Sequence, residues 1–266
     1  MSDAPVRDVP VATFRIAGPT AALHAVAYGP AGAPTLVACH GLGEERKGAV
    51  RVLHELGRTL AAGGAGLIGF DYAGTGESPG SFDAVRWDGL VGDTVAVLRA
   101  AAARADGAAL GLLGVRLGAR VALGAAAAAP APVAGVVHWE PVFDGGRWLR
   151  ELARRSRFRG TGGAAAGSAL ADGAEDVDGY VFSAGLAGDL SGQGGALPPA
   201  TGRQAVVQIG HRADPAPRLA QAGEALGAAV VCLRMQPFWL ESDIVDGAAL
   251  IEETCRLWRE MATHEH

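Results

Sequence analysis

Ala109-Leu110-Gly111-Leu112-Leu113-Gly114-Val115-Arg116-Leu117-Gly118-Ala119 decides how this chain is read. The apolar run from Ala109 to Leu113 has the composition of a buried strand, and the alanine-rich stretch from Ala119 to Ala129 reads as a helix. Only Gly114 to Gly118 lies between them, so the chain must turn sharply from strand into helix with a glycine at each end of the turn. Arginine, at position 116, is the apex of that turn.

The same alternation continues on both sides. Upstream, Thr13 to Ile16 and Ala22 to Tyr28 read as a hairpin around Gly18-Pro19. Thr35 to Cys39 is a buried strand running into the loop His40-Gly41-Leu42-Gly43, Ala49 to Ala62 has helical apolar spacing, and Gly66 to Phe70 is a further strand. A turn-rich loop, Asp71 to Ser78, leads to a helix over Asp88 to Arg104. Downstream come a strand at Ala134 to Trp139 and, after a break, Gln204 to Ile209 (strand), Pro217 to Leu226 (helix), Ala228 to Met235 (strand) and Gly247 to Ala262 (closing helix). Strands alternating with helices predict an α/β fold with a mostly parallel sheet, an antiparallel start and helices on both faces. Residues 160–203, interrupted by Gly162-Gly163, Gly173, Gly188 and Gly192 to Gly195, read as a lid-like insertion, giving a core of 1–159 and 204–266.

Composition narrows the function. The chain has 266 residues, 49% of them hydrophobic, and 23 basic against 28 acidic residues leave a formal charge of −5. That suits one sizeable core and argues against a disordered chain or a nucleic-acid binder. Cys39, Cys232 and Cys255 are odd in number and widely spaced, which predicts neither a disulfide framework nor a zinc site. No metal and no cofactor are expected. The polar start, Met1 to Pro10, resembles no secretory leader, and no stretch has the length and apolarity of a membrane span. A cytoplasmic, bacterial protein follows as the expectation.

The order hairpin, strand, His-Gly-x-Gly, helix, strand, Asp-x-x-Gly-x-Gly-x-Ser, helix, strand, Gly-x-Arg-x-Gly resembles that of the α/β-hydrolase superfamily over nearly the whole chain. More closely, the chain resembles the exosortase A system-associated hydrolases of the second type. The residues that carry this are the elbow, Trp139-Glu140-Pro141-Val142 with Gly145 and Trp148-Leu149, Gly179-Tyr180, and Pro237-Phe238-Trp239. The resemblance implies an α/β-hydrolase fold and would bring a serine, an acid and a histidine, yet Arg116 occupies the serine position and Trp239 stands where the histidine is expected. Asp214, in Gly210 to Pro215, and Glu140 survive as acid candidates. A hydrolase-like name therefore describes the fold, and function has to be argued from the site.

Two readings of the site stay open. In one, Arg116, Glu140 and His40 are catalytic, with Glu140 as general base or acid and the Leu42 and Leu117 amides, beside Gly41, forming an oxyanion hole. Trp148 and Trp239 would wall the substrate pocket. Such a site performs hydrolysis, elimination or isomerisation on a small anionic or acyl metabolite without a covalent intermediate. In the other, Arg116 is closed into a buried ion pair with Glu140 or Asp214 and the protein is a dead pseudo-hydrolase that binds a small ligand or a protein partner. A third, purely structural role in a polysaccharide-export or sorting system rests on the resemblance alone. His40 also has a plain role in bracing its loop, Cys39 and His138 read as core residues, His211 as solvated, and Asp71 and Ser78 as turn formers. The arginines from Arg147 to Arg159 read as a solvated helix face or as a rim that attracts an anion. A homodimer is compatible with all three readings.

Overall fold

Every residue of Thr35–Cys39 is buried, as expected of a nearly apolar strand covered on both faces. The computed structural model describes residues 9–159, 173–192, 197–239 and 245–263, and that strand, β3, lies at the centre of an eight-stranded sheet. Around it are β1 (Val11–Ala17), β2 (Ala22–Tyr28), β4 (Gly66–Phe70), β5 (Leu110–Val115), β6 (Gly135–Trp139), β9 (Arg203–Gly210) and β10 (Ala229–Arg234), in the order β1-β2-β4-β3-β5-β6-β9-β10. β1 and β2 pair antiparallel, β2 joins β4 antiparallel, and the other neighbours are parallel. This is the mostly parallel sheet with an antiparallel start that the sequence predicts.

The alternating side chains of the central strands feed two cores. Leu36, Ala38, Leu113, Val115 and Trp139 meet α1 (Glu44–Ala62) and α7 (Ala248–Thr263) on one face. Val37, Cys39, Ile68 and Leu112 meet α2 (Trp87–Ala105) and α3 (Gly118–Ala127) on the other. α6 (Pro217–Leu226) also lies on the α3 side, where Leu226 packs with Leu123 and Val206.

The main departure from expectation is the start of α1, five residues before Ala49. Glu44-Glu45-Arg46-Lys47-Gly48 has no apolar residue to reveal a helical period, yet Glu44 and Glu45 suit the positive end of a helix. The buried residues of α1 then fall at Glu45, Ala49, Val52, Leu56 and Leu60, which places a carboxylate on the core-facing stripe.

α4 (Gly145–Arg159) leads out of the sheet after β6, and the hairpin β7 (Glu175–Val177) and β8 (Tyr180–Phe182) and the helix α5 (Ala184–Gly192) follow. A Cβ on Gly145 would lie 2.9 Å from the Leu190 carbonyl oxygen, so α4 and α5 are packed backbone to backbone. Asp189 accepts two hydrogen bonds from Arg86 and one from the Trp87 amide, which fastens α5 to the start of α2. Residues 160–172 and 193–196 of the expected insertion, with Gly162, Gly163, Gly194 and Gly195, lie outside the described residues, as do the first eight residues and the 264–266 tail.

The turn from β5 into α3 depends on both of its glycines. A Cβ on Gly118 would come within 2.0 Å of the Cys39 carbonyl oxygen, and one on Gly114 within 2.3 Å of Ala119 Cα. Backbone cannot withdraw as a side-chain tip can. Gly118→Ala is therefore expected to cost about 3 kcal/mol, a value urea denaturation will check, whereas loss of under 0.5 kcal/mol would contradict this packing.

Candidate active site

Arg116 sits at the apex of the elbow with φ of 56°, and Glu140, at the end of the neighbouring strand, has φ of 37°. Two non-glycine residues in the left-handed region at adjacent strand ends mark local strain, which persists only where the surroundings fix it. They do so here. The Arg116 amide donates to the Trp139 carbonyl, the Val142 amide donates to the Arg116 carbonyl, and the Glu140 amide donates to the Val207 carbonyl. The Arg116 side chain then donates from Nη1 to the Glu140 backbone carbonyl at 3.0 Å.

The carboxylate partner of Arg116 is Glu45. Nε reaches Oε2 at 3.2 Å and Nη2 reaches Oε1 at 3.1 Å, a two-pronged contact in which both residues are buried. Trp148 Nε1 donates to the same carboxylate at 3.0 Å and Arg155 approaches it at 3.5 Å from α4. Trp239 lies over the guanidinium, 4.4 Å from ring centroid to Cζ, so the cation has a carboxylate at its edge and an aromatic face on its plane. The expectation of Glu140 or Asp214 as partner is corrected by this geometry. Glu140 gives Arg116 only a main-chain oxygen, while its own carboxylate accepts the Ile209 amide at 2.8 Å and pairs with Arg218. Asp214 is exposed, and its backbone carbonyl accepts from Gln208.

The structure thus brings Arg116, Trp148 and Trp239 together and places Gly41 beside them, where an added Cβ would be 3.5 Å from Arg116 Cβ. Leu42 and Leu117 are buried next to the same turn. A cavity of about 160 Å³ opens alongside, lined by Arg116, Val142, Phe143, Arg147, Trp148 and Arg218 among others. Glu45 and Arg218 are not singled out by the sequence, and Arg155 figures there only among the arginines read as a solvated helix face or an anion-attracting rim. For Glu45 a signal existed: it lies four residues before Ala49 on the same helical face.

His40 points elsewhere. Its Nδ1 donates to the Gly41 carbonyl at 2.8 Å, its ring packs edge-on against Tyr72, and Nε2 lies 3.8 Å from Asp71. Burial and the nearby Arg46 cation push its pKa down to about 4, so the imidazole is neutral at pH 7. Asp71 is pulled up by burial but more strongly down by the Glu77 amide and Arg46, and stays below the usual carboxylate range. Its fixed role is in the turn, where its carbonyl accepts from Ser78 Oγ and its carboxylate from the Glu77 amide. His138 is a core residue bonded to Gln204 at 2.8 Å, and burial also lowers its pKa to about 4. Cys39 is buried, with its thiol pushed up to about 12 by burial, and is no nucleophile at neutral pH.

Residues 32–158 match the family described as serine aminopeptidase, S33. Several solved structures superpose over almost the full length. A hydrolase from Agrobacterium vitis is 20% identical with a TM-score of 0.62, covering 96% of this chain and 100% of its own. A serine hydrolase without a lid from Xanthomonas campestris is 20% identical at 0.60, covering 99% and 100%. Est1E from Butyrivibrio proteoclasticus, with ferulic acid bound, is 16% identical at 0.65, covering 93% and 96%. This chain has the α/β-hydrolase fold. No curated protein matches it in sequence. Among the described residues, no helix is long and apolar enough to cross a membrane.

Two outcomes follow for the α/β-hydrolase scaffold. Glu45→Ala leaves Arg116 and Trp148 without their acceptor and should cost about 3–5 kcal/mol in denaturant unfolding, whereas Glu45→Leu combined with Arg116→Met should recover most of that loss. Additive losses in the double variant would refute the pairing. The second concerns acid. His40 and His138 are held neutral well below an unfolded value of about 6.5, so between pH 6.5 and 4 the unfolded chain binds more protons. Stability present above pH 6.5 should fall steadily as pH drops to about 4, and melting temperatures flat across that window would contradict the assignment.

Proposed function

We propose that this chain is a hydrolase-fold protein without serine-hydrolase chemistry, one that holds a small carboxylate beside the elbow and does not cleave it. In this reading Arg116 stands where a serine hydrolase keeps its nucleophile and Trp239 stands where it keeps its histidine. The observation that carries the proposal is the two-pronged contact between Arg116 and Glu45, capped by Trp239. A guanidinium is permanently protonated, so it cannot attack a carbonyl, and here its polar edge already faces an acid. Glu140 supports the same conclusion. Its carboxylate is held by the Ile209 amide and Arg218, and Arg116 meets only its main-chain oxygen, which supports a site without the acid–cation pair of the catalytic reading.

Ligand binding follows from what borders the cavity. Arg147 and Arg218 reach the cavity with side chains more than half exposed: the pair of Arg147 with the exposed Glu151 exchanges readily with an incoming anion, while Arg218 stays on the buried Glu140 and offers its remaining N–H donors. Val142, Phe143 and Trp148 supply apolar wall. A volume near 160 Å³ suits a compact molecule the size of benzoate. The three free cysteines agree with a cytoplasmic location, which belongs to this proposal together with the small-molecule partner.

The purified protein should show neither a product burst with activated esters nor labelling by serine-directed phosphonates. Benzoate should bind with a dissociation constant of about 1 mM or tighter, and Arg218→Ala should weaken it about tenfold. Covalent labelling within residues 114–118, or turnover of an acidic metabolite that Glu140→Gln abolishes, would overturn the proposal in favour of a working enzyme.

A further inference from the structure

α1 carries a second stripe beside the one that faces the core. Arg46, Val50, Leu53 and His54 recur at helical spacing and look out over the outer face of β2 and β4, where Val26 is registered against Gly69 and Tyr28 against Leu67. Among the described residues, α1 flanks this part of the sheet and no other helix closes over it. The result is a groove of about 600 Å³ between α1 and the two strands, within the range of small-molecule sites and several times larger than the elbow cavity. Along β2 from His24 to Tyr28 it runs about 13 Å, at about 3.3 Å per residue.

Two observations point to an occupant. Gly69 lies in the middle of a strand with unbroken pairing on both sides, so no bulge requires it, and a Cβ there would meet nothing within 4 Å, so no neighbouring backbone requires it either. A strand-interior glycine sacrifices stability, and close approach of a ligand is the remaining reason for one. Val50, at the mouth, is 51% exposed, one of three large hydrophobic residues so exposed among those described.

Charge selects the occupant. The walls at Val26, Leu53, Leu67 and Phe70 are apolar, while Lys47 and Arg51 flank Val50 at the opening. Lys47 meets Glu44 and lies 5.5 Å from the centroid of the Tyr180 ring, and Arg51 meets Glu55; these exposed contacts contribute a few tenths of a kcal/mol each and exchange with a ligand. Asp71 and Glu77 close the far end and repel a second negative charge there. We propose that this groove binds an amphiphilic monocarboxylate, an acyl or aryl-alkyl acid of about eight carbons, with its carboxylate between Lys47 and Arg51 and its chain laid over Gly69. This site is separate from the elbow and does not depend on how the elbow is read.

Calorimetric titration with octanoate and 4-phenylbutyrate tests it, with octanol and octyltrimethylammonium as neutral and cationic controls. The acids should bind with a dissociation constant of about 1 mM or below, at least about tenfold tighter than either control. Gly69→Val places a side chain in open space, so the variant should fold with an equal or higher melting temperature and lose octanoate binding by about tenfold or more. Lys47→Glu with Arg51→Glu, both on the surface, should weaken the acids but not octanol. Arg218→Ala should leave octanoate unaffected, which separates this groove from the elbow cavity. No octanoate binding, binding unchanged by both groove variants, binding lost in Arg218→Ala, or equal affinity for octanol would each overturn the inference.

Discussion

A buried carboxylate with three donor groups around it organises the elbow end of this molecule. Glu45 draws Arg116 from the elbow and Trp148 and Arg155 from α4 to one point, and Arg116 in turn carries Trp239 from the segment after β10. Four pieces of chain distant in sequence are therefore fixed by one charge. Such a pair adds little to net stability, because desolvating two ions costs about as much as their attraction returns. Its effect is on specificity: any arrangement that separates the partners leaves a charge buried and alone, so competing packings of the elbow are strongly disfavoured. This explains how two left-handed residues, Arg116 and Glu140, are tolerated side by side.

The fold was legible because its signals are local. Buried strands such as Thr35–Cys39 and Gly66–Phe70 are short apolar runs between turn residues, and the elbow glycines announce a turn tight enough to need them. The helix Pro217–Leu226 is marked by a proline at its first position and by Gly227 in the left-handed conformation after its end. Arg116 and Trp239 were also legible as neighbours, since each follows a strand of the sheet, and Trp148 lies in α4, the helix that leads out after β6. The identity of the acid was not. Glu45 sits in a run of charged residues that carries no apolar period, and its burial results from a helix whose first turn cannot be located by that period. Arg218 lies outside the motifs altogether, and its pairing with Glu140 is a product of sheet order, which sets β9 and the start of α6 beside β6.

Helix α1 links the closed elbow to the open groove, and its rotation about its own axis decides both. Neighbouring residues on a helix point about 100° apart, so a shift of one position would withdraw Glu45 from Arg116 and turn Arg46 toward it, setting two cations face to face. Two glycines prevent this. At Gly48 an added Cβ would lie 2.4 Å from the Phe238 carbonyl oxygen, and at Gly57 it would lie 2.5 Å from the Tyr28 ring. Each costs about 1 kcal/mol of helix propensity relative to alanine, and each lets the helix seat in one orientation only, Gly48 against the loop that carries Trp239 and Gly57 against the end of β2 that bounds the groove. With α1 locked at both points, Glu45 is held on the elbow side and the Arg46–Val50–Leu53 stripe on the groove side. Occlusion of the elbow and exposure of the groove are thus two faces of a single packing decision.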